Sequence, residues 1–179
     1  MKRILPLILL VLLQACNNDE IESRIKRLQD SDVSTGGVAI RSELPIAYNA
    51  RQAAERGISK ALVKSVCAGY QVLPLSGFHV VFLKGVLGSD GYPYIELDAG
   101  DYKGTEYDKA GKIHAAGEYR SNLDMLVIPL AGVVTEQYLE EIAEHEATHR
   151  IYFMRDRVRF EATRVHRAGE VFLMASCQG

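Results

Sequence analysis

The stretch Thr135–Phe153, TEQYLEEIAEHEATHRIYF, decides how the rest of the chain is read. Tyr138, Ile142, His145, His149 and Tyr152 recur in it at spacings of four, three, four and three, which is one face of a helix. Thr135 and Glu136 open the segment as a capped first turn. Pro129 and Gly132 close off what precedes it, and neither Pro nor Gly interrupts residues 133–156. On such a helix residues four apart stand one above the other, so the imidazoles of His145 and His149 converge. Glu146 projects beside them. H-E-x-x-H at this spacing offers two neutral nitrogen ligands to one metal ion and leaves a coordination position open. It also places a carboxylate where it can take a proton from an activated water without being a ligand itself. Two half-buried histidines on an ordinary amphipathic helix have the same periodicity, and that is the alternative.

The amino terminus bears on where the chain works. Met1-Lys2-Arg3 is basic, Ile4–Leu13 is apolar apart from Pro6, and Leu13-Gln14-Ala15-Cys16 follows. This resembles a bacterial lipoprotein signal peptide, and the apolar run is too short to span a bilayer. The resemblance implies that residues 1–15 are an export signal and that Cys16 becomes the lipidated first residue. Asn17, with no Asp at the retention position, points to the outer membrane, facing the periplasm. An ordinary secretory signal is the other reading.

The sequence carries 21 basic and 23 acidic side chains, a formal charge of −2. Loss of Lys2 and Arg3 with the signal would make the mature chain more acidic. No basic patch is interleaved with aromatics and no Gly-rich phosphate loop is present, and the charge balance gives no reason to expect nucleic acid or an anionic membrane surface as the partner. Of the three cysteines, Cys67 and Cys177 remain beside Cys16. In an oxidising compartment the two are expected to pair, and closing so long a loop contributes roughly 4–5 kcal/mol in the chain-entropy model. Two buried free thiols are the rival reading.

Residues 16–45 read as the lipidated cysteine and a flexible tether, with Ile21, Ile25 and Leu28 enough for a short helix but not for a core. Residues 46–179 suffice for one domain. Ala47–Val66 is expected to be an amphipathic helix burying Ala50, Ala54, Ile58, Ala61, Leu62 and Val66. Strand-like runs follow at Gln71–Leu75, Phe78–Leu83, Tyr92–Leu97, Ile113–Tyr119 and Met125–Leu130. The H-E-x-x-H helix comes next, and then a last helix over Arg157–Met174. The fold class is α+β.

With that order of elements the chain resembles the zincin metallopeptidases, and within them a minimal gluzincin. HEATHRIYFMRDRVRFE, residues 145–161, is similar to a segment of certain lipoprotein-type bacterial aminopeptidases. The resemblance implies a small mixed sheet over the H-E-x-x-H helix and a following helix that supplies a Glu as third zinc ligand. The metzincin continuation would need Gly and His where Tyr152 and Arg155 stand. The downstream donors are Asp156, Glu161, His166 and Glu170. Glu161 is favoured, because it precedes Ala162, Val165, Ala168 and Phe172 at helical spacing, and a carboxylate on an apolar face needs a partner. His166, set among arginines, is the runner-up, and an ion pair with one of those arginines is the alternative for Glu161. Asp156 would cap the last helix or accept a ligand ring N–H. Tyr152 packs beneath the metal or polarises a substrate carbonyl.

The function expected is zinc-dependent hydrolysis of a peptide or protein substrate in the cell envelope. His145, His149 and Glu161 would hold Zn2+, and Glu146 would act as general base. An extended substrate would pair with a sheet edge, either the strand carrying His114 or Met125–Leu130. His79 and His114 are expected to be structural, and Asp98 to Asp101 with Asp108 a solvated turn. Two alternatives stand beside this reading. One is a zincin-shaped lipoprotein that binds zinc or an envelope partner without turnover. The other is an interaction lipoprotein in which the motif is accidental.

Overall fold

A five-stranded sheet carries two helices on one face and, on the other, a third helix together with a second small sheet. The structure is a computed structural model, and it describes residues 19–28, 31–33, 38–69, 74–75, 77–98 and 112–155. In chain order the elements are α1 (Asp19–Lys26), β1 (Ser31–Val33), β2 (Ala39–Ser42), α2 (Tyr48–Cys67), β3 (His79–Lys84) and β4 (Val86–Leu87). Then follow β5 (Pro93–Asp98), β6 (Lys112–Ala115), β7 (Glu118–Arg120), β8 (Met125–Leu130) and α3 (Glu136–Arg155). The chain is thus α+β, as expected.

The main sheet has the order β1-β2-β3-β8-β7 and the second has the order β4-β5-β6. β2, β3 and β8 are parallel, with Ala39, His79 and Met125 in register, and the outer strands β1 and β7 run antiparallel to their neighbours. Alternation along the central strands divides the core in two. Val80, Phe82, Leu126 and Ile128 face α2 and α3, while Val81, Leu83, Met125 and Val127 meet Ile21 and Ile25 of α1 and Ile95 and Leu97 of β5.

Several expectations change here. The segment read as tether supplies α1, whose Ile21 and Ile25 are buried, and β2, an inner strand of the main sheet with Ile40 in the core. The run Ile113–Tyr119 is not one strand. It breaks at Ala116-Gly117 into β6 of the small sheet and β7 at the edge of the large one. Met125–Leu130 is paired along its whole length with β3 and over Met125–Val127 with β7, so its first half is not an edge. Val66 is half exposed and Ser65 is buried in its place, donating from Oγ to the Leu62 carbonyl at 2.7 Å.

α2 and α3 run side by side in the same direction. Gly57 lets them approach, because a Cβ there would lie 2.8 Å from the Glu144 nitrogen and 2.9 Å from Ala143 Cβ. Arg56, Lys60 and Lys64, one turn apart on α2, meet Glu136, Glu140 and Glu144, one turn apart on α3. No helix among the described residues is long and apolar enough to cross a membrane.

Candidate metal centre

α3 begins as the spacing predicts. The Tyr138 N–H donates to Thr135 Oγ1 at 3.2 Å, so Thr135 is its cap. Two turns on, His145 and His149 stand with ring centroids 5.0 Å apart and planes at 76°. One donor atom from each of His145, Glu146 and His149 lies within 4.8 Å of the others, the sole such group among the described residues. Two imidazole nitrogens and an adjacent carboxylate suit a borderline cation such as zinc, so the donor set fits the metal that the motif implies.

The roof of this site is β7. Gly117, just before the strand, sits so close to α3 that a Cβ would lie 2.8 Å from Ile142 Cγ2, 3.0 Å from Glu146 Cγ and 3.1 Å from Glu146 Oε1. Only glycine permits that approach without displacing the Glu146 side chain. The backbone N–H of Tyr119 donates to the Glu146 carboxylate, and Glu118 directs its own negative charge at it. Glu146 is 6 % exposed and is pushed up to about 8, first by burial and then by Glu118, against the lowering effect of the Tyr119 N–H. Glu118 is in turn held by Arg120, whose Nε donates to it at 2.8 Å.

A second set of bonds ties β7 to the helix. Arg150, the residue after His149, donates from Nε and Nη2 to the two oxygens of Asp124 at 2.7 and 2.9 Å, and to the Pro74 carbonyl at 2.9 Å. Its guanidinium lies 4.4 Å over the Phe78 ring. Tyr119 donates its hydroxyl to Asp124 Oδ1 at 3.0 Å, and burial, together with the Asp124 charge, holds that phenol well above its usual range. Asp124 itself occupies a left-handed turn at φ 47°, which Asp tolerates better than most residues.

The structure brings together His145, Glu146 and His149. Glu161, its runner-up His166, Asp156, the lipidation residue Cys16 and Cys177 lie outside the described residues. Cys67 is disulfide-bonded, and its partner also lies outside them. Tyr152 is 1 % exposed and belongs to the core between the helices and the sheet, which favours packing over contact with a substrate. His114 stacks on Tyr94 at 3.9 Å on the small sheet, and His79 opens β3. Neither joins the metal group. The residues that sequence reasoning missed are Gly117, Glu118 and the Tyr119 backbone. An isolated glycine inside a strand pattern was the available signal for a close approach, whereas Glu118 and the Arg150–Asp124 pair leave no trace in the pattern.

No model of a known protein family matches this chain, and no curated protein or solved structure matches it.

Proposed function

We propose that the chain is a zinc-dependent peptide-bond hydrolase of minimal gluzincin type, anchored in the bacterial envelope through Cys16. The observation that carries this reading is the convergence of His145 and His149 with Glu146 beside them under β7. A sheet edge lying over the motif helix is in keeping with the small mixed sheet above an H-E-x-x-H helix that the zincin resemblance implies.

His145, His149 and Glu161 would hold the metal. Zinc bound there supplies a Lewis acid that brings a water toward ionisation near neutral pH. Glu146 takes the proton of the attacking water and passes it to the leaving amine. The Tyr119 N–H fixes one carboxylate oxygen of Glu146, and Gly117 leaves room for it. In the metal-free site burial, and then the Glu118 charge, push the Glu146 carboxyl up. A cation held by the histidines would act in the opposite direction and favour the carboxylate that a general base needs. β7, rather than the first half of β8, is the sheet edge available to an extended substrate.

A second reading is favoured by the burial of both Glu146 and His149, which suits a structural metal site without turnover. One experiment separates the two. Zinc content is measured in the Cys16→Ser chain, in His149→Ala and in Glu161→Ala, and peptide hydrolysis is measured in Glu146→Gln. One zinc per chain, weakened by both ligand changes, with turnover lost in Glu146→Gln, is the expected result. Zinc without turnover selects the second reading, and no zinc after reconstitution sinks both.

A further inference from the structure

Four large apolar side chains stand exposed at one end of the molecule. Val86 and Leu87 form β4, Tyr92 closes the same hairpin, and Val133, 97 % exposed, lies in the loop that enters α3. They are one patch. The Gly88 N–H donates to the Tyr92 carbonyl at 2.8 Å across the hairpin, and Leu87 reaches Gly132, where a Cβ would lie 3.4 Å from Leu87 Cδ1. Tyr92 stacks on Tyr138 of α3 at 4.9 Å.

Its neighbourhood indicates what covers it. Val86 shares a cavity of about 710 Å³ with Glu20, Arg24, Arg27 and Leu28 of the α1 segment, and with Glu43 and Lys84. Arg24 is engaged by Glu43 at 2.6 Å, which leaves Arg27 and Lys84 as the basic groups beside the apolar tip. Two residues separate α1 from Cys16, a covalent reach of about 11 Å. An apolar tip, a tyrosine at its rim, flanking basic groups and an adjacent anchor are the components of an interfacial membrane contact.

We propose that Val86, Leu87, Tyr92 and Val133 form a membrane-docking face that seats on the bilayer holding the Cys16 anchor. The inference rests on the lipoprotein reading above and extends it to the substrate. Along α3, His145 lies roughly 14 Å and His149 about 20 Å from the helix start at the patch. Docked this way, the metal pair works within reach of the bilayer surface, on polypeptides at or emerging from the membrane.

The chain contains no Trp, so a single introduced Trp reports one place. Val133→Trp and, at the far end of the parallel helix α2, Val63→Trp are placed in the lipidated full chain. The chain is reconstituted in phosphatidylethanolamine and phosphatidylglycerol vesicles with or without brominated acyl chains. The expected result is at least twofold bromine quenching of the Val133→Trp reporter and none of the Val63→Trp reporter, with the difference removed by Val86→Ser and Leu87→Ser. Equal quenching at both positions, or at neither, overturns the docking face. A blue shift of the Val133→Trp reporter that grows with protein concentration without lipid assigns the patch to a second copy and also overturns it. The mass of the amino-terminal peptide tests the anchor independently. If Cys16 carries no lipid, the anchor reading fails, and the same quenching on vesicles added to the Cys16→Ser chain still decides the docking face.

Discussion

Glu140 and Glu146 sit on the same helix and titrate in opposite directions. Glu140 faces α2, where Lys60 and Arg56 donate to its carboxylate and hold it below the usual range. Glu146 faces β7, where burial and the Glu118 charge push it up to about 8. The α2 side is built for cohesion, with small residues inside at Gly57 and Ala143 and opposite charges paired in partial solvent outside. The β7 side carries an electrostatic cost, a buried carboxylate whose charged neighbour is another carboxylate. A cation between His145 and His149 would offset that cost. The stable side of α3 therefore holds the helix, and the costly side is where chemistry is to be sought.

Glu146→Gln should have the largest effect, and two consequences of opposite sign. Hydrolysis in the zinc-loaded protein should fall by about 10²- to 10⁴-fold, the usual contribution of a general base. The metal-free protein should become more stable at neutral pH. The folded-state value of about 8 lies above the unfolded value of 4.5, so the folded state binds more protons between them. The Glu146 contribution is thus fully present below pH 4.5 and is lost as pH rises toward 8, a loss of about 3 kcal/mol by pH 7. Urea unfolding at acid, neutral and mildly alkaline pH should show wild-type metal-free protein weakening along this range while Glu146→Gln does not. Parallel curves would remove the contrast between the two sides.

The Arg150 clamp comes next. Arg150 is almost fully buried, and Arg150→Ala would remove both of its bonds to Asp124, leave the Tyr119 hydroxyl on that carboxylate, and loosen the strand from the helix. A loss of about 3–4 kcal/mol in unfolding free energy is expected, with weaker zinc binding because β7 roofs the site. Arg150→Lys cannot reproduce the two-pronged bond to Asp124 and should recover only part of it. On the other side, Gly57→Ala pushes a methyl into the α3 backbone and should cost about 1–3 kcal/mol. Zinc affinity should stay nearly unchanged, since the atoms nearest Gly57 belong to Glu140, Ala143 and Glu144 and not to the motif residues. A large change in zinc binding in Gly57→Ala would show that the two sides of α3 are coupled.

Much of this side-by-side design was readable from residues alone, for identifiable reasons. The α3 stripe at 138, 142, 145, 149 and 152 is long and capped, so its period is unambiguous, and Ala54, Ile58 and Ala61 mark α2 in the same way. β2 escaped because four residues with one buried apolar side chain, Ile40, carry no period, although pairing with β1 and β3 makes it an inner strand. α1 shows only Ile21 and Ile25 as core contacts, and Val81, Leu83 and Val127 from distant segments complete them. The split of Ile113–Tyr119 turns on Gly117, whose role is set by the helix it must approach. The convergence of His145 and His149 was legible because its geometry is local to one helix. The carboxylate Glu118 and the clamp through Asp124 were not, because strand pairing alone brings them to α3.

The smallest effect belongs to the α2 side. Arg56→Ala removes bonds to Glu136 and Glu140 at 3.0 and 2.8 Å, short enough to invite a strong claim. Arg56 and Glu136 are both largely exposed, however, and Lys60 remains on the less exposed Glu140 when Arg56 is gone. Exposed pairs gain little because solvent and salt screen the attraction and two long side chains must be ordered. The expected outcome is a midpoint change barely above error at physiological salt, growing as salt is lowered. The Arg150→Ala loss should respond less to salt, because the Arg150 side chain is itself buried even though Asp124 is about a quarter exposed. If Arg56→Ala proved as damaging as Arg150→Ala, or no more responsive to salt, the α2 side could not be the screened, redundant one. The assignment of cohesion to one side of α3 and electrostatic cost to the other would then have to be given up.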